Sequence, residues 1–101
     1  MNERILNIKE KEAFHNSFSE LLDQINVKLD EWEILLPKYK QLMDYYGSQQ
    51  WREDYESSEK NEFPEDLACG ILTEDTLYNL FRTQRELALR MLKAATSALE
   101  N

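Results

Sequence analysis

From Phe14 onward, apolar side chains recur in steps that alternate mainly between three and four: Phe14, Phe18, Leu21, Ile25, Leu29, Trp32, Leu36, Tyr39, Met43 and Tyr46. That is the seam of a helix that faces another helix. Leu22, Leu35 and Leu42 widen the stripe to the breadth used in globular bundles, while Asp23, Asp30 and Lys38 fall on the other side. Asn7 with Glu10 three residues later makes a capping box, so the spacing predicts a helix over 8–46 with the residues before it frayed. Pro37 interrupts the run. Inside a helix it removes a hydrogen bond and clashes with the preceding turn, at a cost of ~3 kcal/mol. The apolar phase nevertheless continues through it, from Leu36 to Tyr39 to Met43, which predicts a kink and not a hairpin. About 38 helical residues would extend ~57 Å. That exceeds the width of a globule of this chain length, so one end should project or pair with a second chain.

The pattern then breaks. Gly47 is expected to end the helix in the left-handed conformation, and Ser48 to start another as its N-cap. A short helix over 48–58 would put Trp51 and Tyr55 on one face. Ser57-Ser58, Lys60-Asn61 and Pro64 close it. Pro64 followed by Glu65 and Asp66 predicts a short turn at 64–68, closed by Gly70. Thr73 reads as the next N-cap, with Leu72 before it able to staple onto Leu77. A helix over 74–99 follows, with Leu77, Leu80, Phe81, Leu87, Met91, Leu92, Ala95 and Leu99 at helical spacing and Gln84 as a polar exception. These elements predict one all-α domain over 1–101. It is a small helical bundle in which a long kinked N-terminal helix lies antiparallel to a long C-terminal helix, with short helices between.

Composition agrees with long helices: two glycines and two prolines in 101 residues leave little for a many-turned β architecture. The formal net charge of −8 is unevenly placed. Residues 48–75 hold nine acids against two bases, whereas 76–101 hold two acids against four bases. The acidic middle repels phosphate backbones and anionic membranes, so neither nucleic acid nor a membrane is expected as partner. The weakly basic C-terminal third can dock against it within the fold. Cys69 is alone, which leaves no intrachain disulfide and fits a reducing cytoplasm. No apolar run approaches the ~20 residues that span a bilayer, and the first residues lack the apolar core of a signal peptide. A cytoplasmic location is the expectation.

The central residues carry a resemblance. Tyr45-Tyr46, Ser48, Trp51, Asp54-Tyr55-Glu56, Pro64, Leu67, Gly70-Ile71-Leu72-Thr73-Glu74-Asp75 and Tyr78 together resemble domain-of-unknown-function family 4298, a family of small bacterial proteins. The family pattern has a glycine near Ser58–Asn61. Asn61 stands there, the next best residue for a left-handed backbone. The resemblance covers about a third of the chain in its specific residues. It implies an all-α protein and brings no activity and no assigned site.

Candidate chemistries narrow quickly. One His and one Cys with no linking spacing do not support nucleophilic catalysis. Glu12 and His15 match half of a carboxylate-bridged di-iron motif, but the second half needs a histidine the chain lacks. Acidic pairs at three-residue spacing, Glu20/Asp23, Asp30/Glu33 and the series Glu53, Glu56, Glu59, Glu62 and Glu65, match the way all-α nucleotide pyrophosphatases hold Mg²⁺. A Mg²⁺-dependent nucleotide hydrolase is therefore one alternative. A helix–turn–helix DNA binder, with residues 64–68 as first helix and the Thr73 helix as reader, is another. It is disfavoured because Glu74 and Asp75 would meet phosphate.

The leading expectation is a protein that works by binding another protein, or a copy of itself, with no cofactor, no metal and no catalytic residue. Trp51, Asp54, Tyr55, Glu56 and Tyr78 are the candidate partner surface, because Trp and Tyr are favoured at binding hot spots. The alternative role for the same residues is to seal the end of the bundle, with Asp54 capping a helix or pairing with an arginine such as Arg82.

Overall fold

The structure, a computed structural model, describes residues 2–100. It is all-α: α1 spans Asn2–Tyr46, α2 Gln49–Glu59 and α3 Thr76–Leu99, with no strand among the described residues. A long N-terminal and a long C-terminal helix with a short one between them is the arrangement the periodicity predicts. The chain divides into two compact units, one up to Tyr39 and one from Lys40 onward.

The first unit holds a single element, the leading part of α1. This helix starts at Asn2, not near residue 8, so the Asn7/Glu10 pair lies inside it. Residues 3–6 are helix formers with no breaker among them, and a capping box has force only where the backbone has a reason to begin. The fraying expected before residue 8 is absent from residues 2–7, and Met1 lies outside the described residues. Pro37 sits within α1, which continues through it. No side chain of α1 is buried. Phe14, Phe18, Leu21, Leu22, Ile25 and Leu29 range from 66% to 38% exposed.

The second unit contains the last turns of α1, then α2, the loop 60–75 and α3. Its two buried apolar residues are Leu72 and Leu77, at 7% and 1% exposure. These are the two members of the expected staple. Along α3, Gln84, Ala88 and Met91 are half-buried on the side of Leu77, so the polar exception lies on the covered side of the helix.

The junctions differ from expectation in instructive ways. Gly47 does not take a left-handed φ. Its N–H still donates to the Met43 carbonyl at 3.3 Å, so it continues the helical bonding. The chain turns instead at Ser48, which is extended (φ −93°, ψ 162°) and caps α2 by accepting from the Trp51 N–H at 3.2 Å.

Asn61 does take the left-handed conformation, with φ 57°. Its N–H donates to Ser58 O at 3.1 Å, and Glu62 N–H donates to Ser57 O at 3.0 Å. Those two bonds are the Schellman ending of α2.

Residues 64–68 form a short turn, as expected. Leu67 N–H reaches Pro64 O at 3.1 Å, and the segment is too short to propagate further. α3 starts at Thr76, two residues later than expected. Thr73 nonetheless accepts from the Thr76 N–H at 3.3 Å, the bond a cap would make, so its signal marks the approach to the helix.

Candidate functional site

All five residues expected to form a partner surface lie in the second unit, and Trp51, Asp54 and Tyr55 gather against the end of α1. Tyr46 meets Trp51 edge-on, with ring centroids 5.1 Å apart at 86°. Trp51 stacks on Tyr55 at 5.4 Å and 20°. The stack follows from sequence, since positions 51 and 55 are one helical turn apart on α2. The edge-on contact follows from the Gly47-Ser48 break, which directs α2 back beside the last turn of α1.

The polar atoms of this aromatic row bind the loop that precedes α3. The Trp51 indole N–H donates to Ile71 O at 3.0 Å. The Tyr46 hydroxyl donates to Glu74 O at 3.3 Å, and the Tyr55 hydroxyl donates to Glu74 Oε1 at 3.3 Å. Three rings thus hold residues 71–74 in place, and Leu72 lies buried within that segment. Loss of solvent around the ring, with the negative charges of Glu74 and Glu59 nearby, raises the Tyr55 pKa above its ordinary value.

Asp54 does not pair with Arg82. Arg82 Nη2 pairs with Glu86 Oε1 at 3.4 Å along its own helix. Asp54 instead accepts from the Tyr45 hydroxyl at 2.6 Å and from Gln50 Nε2 at 2.9 Å. Those two donors hold its carboxyl below the usual carboxylate range. The converse holds at Tyr45. Burial, reinforced by the Asp54 hydrogen bond and its charge, pushes the phenol up to about 12.

Glu56 is exposed on α2. Tyr78 is 50% exposed and lines an open apolar recess of about 320 Å³ with Met43, Tyr46, Gly47 and Phe81. Cys69 is half-buried at a second recess of about 280 Å³, near Phe63 and Leu67. Tyr45, Tyr46 and Glu74 carry as much of this cluster as Trp51 and Tyr55 do. The periodicity gave Tyr46 a place in the apolar stripe, but nothing in it marked the Tyr45 hydroxyl or the Glu74 carbonyl as partners.

The acidic series does not converge. α2 ends at Glu59, and the left-handed turn at Asn61 takes Glu62 and Glu65 out of register with Glu53 and Glu56. Among the described residues, no three His, Cys, Asp or Glu side chains lie together as a metal would require. The helix–turn–helix reading lacks its first helix, since 64–68 is a turn. His15 is exposed, its Nδ1 3.2 Å from the Asn16 side-chain oxygen. No helix among the described residues is long and apolar enough to cross a membrane.

Compared with known proteins, the chain matches one family profile over residues 8–94, described as a domain of unknown function (DUF4298). No curated protein and no solved structure matches it.

Proposed function

The chain belongs to the DUF4298 family, matched over most of its length, and from that premise we propose that it is a non-catalytic binding module of the bacterial cytoplasm whose working surface is the apolar stripe of α1. The observation that carries this reading is the exposure of Phe14, Phe18, Leu21, Leu22, Ile25 and Leu29 along one helix face. A helix draws most of its stability from packing its apolar face, not from propensity. Soluble proteins seldom leave a contiguous apolar patch of this kind without a binding role.

The aromatic cluster around Trp51 supports the same reading indirectly. Its hydroxyls and indole N–H are engaged within the second unit, so it serves as a clamp on residues 71–74. Tyr78 and the recess beside it supply a smaller accessory surface.

The test compares the tagged chain with its Ile25→Glu variant, both recovered under native conditions from the cells that make them. Ile25 is exposed, so the variant should keep the helical circular dichroism of the parent. The reading expects a stoichiometric second chain, foreign or identical, held by the parent and lost by the variant. Equal recovery of nothing from both would refute it.

A further inference from the structure

Resting on that reading, we propose that the chain covering the stripe is a second copy of this one, laid antiparallel with the pair centred between Leu21 and Leu22. Three features lead there. The first is area. Six side chains at these exposures present on the order of 600 Å² of apolar surface, so two copies would bury about 1,200 Å², the lower edge of a specific interface.

The second is shape. Antiparallel pairing about Leu21/Leu22 sets Phe14 beside Leu29 of the second copy and Phe18 beside Ile25. Each large ring then meets a smaller aliphatic chain, the alternation that lets layers interdigitate. Phe14 and Phe18 are already stacked, 5.5 Å apart at 18°, and form one broad ridge for that purpose.

The third is charge. From Ala13 to Val27 the formal charges are Glu20 and Asp23, both away from the stripe by helical phase, so the centre can close without desolvating an ion. Beyond the centre, a parallel pair would align Asp30, Glu31 and Glu33 with their own copies. The antiparallel pair instead sets that acidic run against residues 9–12, where the formal charges of Lys9, Glu10, Lys11 and Glu12 cancel. Like charges side by side penalise the first arrangement, and the neutral segment facing the run in the second avoids most of that repulsion.

The test uses the full chain carrying Cys69→Ser, so that only introduced thiols react. At about 100 µM, a concentration suited to an interface of micromolar strength, the mass in solution should be twice that of the 12.1 kDa chain. Under mild oxidation Leu21→Cys should link to itself. Phe14→Cys alone should not, whereas Phe14→Cys mixed with Leu29→Cys should. A single-chain mass at that concentration overturns the proposal, and so does Phe14→Cys linking to itself as readily as Leu21→Cys does. If the mass is that of one chain while Ile25→Glu releases a foreign protein, self-pairing fails and the binding reading stands. If nothing is held by either chain, both fail.

Discussion

The Tyr45 hydroxyl donates a 2.6 Å hydrogen bond to the Asp54 carboxylate, joining the last turn of α1 to the middle of α2 across the Gly47-Ser48 break. Nine residues separate the two, and only the direction set by Ser48 brings them together.

This bond makes stability depend on pH at both extremes. The folded Tyr45 pKa of about 12 lies above the ordinary 10, so its contribution is complete below pH 10 and is lost as pH rises towards 12. The folded Asp54 pKa is depressed, so its contribution is present above the unfolded carboxylate range and is lost as pH falls through the folded value. A tyrosinate absorbance titration should show two late phenols among the five tyrosines, Tyr55 and, last of all, Tyr45. Tyr45→Phe should remove the last step and leave that of Tyr55, and Asp54→Asn should move the last step towards the others.

Trp51 holds the loop by its indole N–H and holds α2 by its ring. Trp51→Phe keeps a stacking surface but leaves Ile71 O without its donor, and should cost about 1 kcal/mol. Trp51→Ala removes both and should cost about 3 kcal/mol. Denaturant midpoints for the two variants separate the roles. A Trp51→Ala midpoint equal to that of Trp51→Phe would show that the stack with Tyr55 contributes nothing.

Left-handed backbone sits at Asn61 and at neither glycine. Asn61→Ala should destabilise by about 1 kcal/mol, whereas Asn61→Gly should be neutral or slightly favourable. A Cβ at Gly47 would meet nothing nearer than Met43 O at 4.0 Å, and one at Gly70 would meet nothing within 4 Å. Both Gly→Ala changes should therefore be neutral or stabilising by about 0.5 kcal/mol, through the unfolded chain. Thermal midpoints of the four variants check the order.

Much of this was legible in the chain itself, and the exceptions share a cause. The helical step pattern located α1 and α3, the Ser48 cap fixed the start of α2, and the Asn61 turn followed from a residue that tolerates positive φ. Trp51 and Tyr55 could be placed on one face because their relation lies within a single helix. What sequence spacing misread were helix starts and reversals. The Asn7/Glu10 box is an ordinary i, i+3 pair inside α1, and Gly47 kept helical bonding because Ser48 could turn the chain unaided. Contacts that cross a turn were out of reach. The Tyr45–Asp54 bond and the double use of Glu74 depend on angles that periodicity does not encode.

Leu77 is the most enclosed side chain described, at 1% exposure. Leu77→Ala should cost about 2–5 kcal/mol by cavity formation. Leu22→Ala, at a position 50% exposed, should cost under about 1 kcal/mol when measured at low protein concentration. The same Leu22 variant should become costlier as concentration rises, because the pairing that covers it is then lost.

The most direct measurement is amide hydrogen exchange along α1 as a function of protein concentration. If a second copy covers the stripe, amides of residues 14–29 should slow as concentration increases, while those of α2 and of α3 near Leu77 stay unchanged. Exchange in residues 14–29 that is fast and independent of concentration would contradict the account.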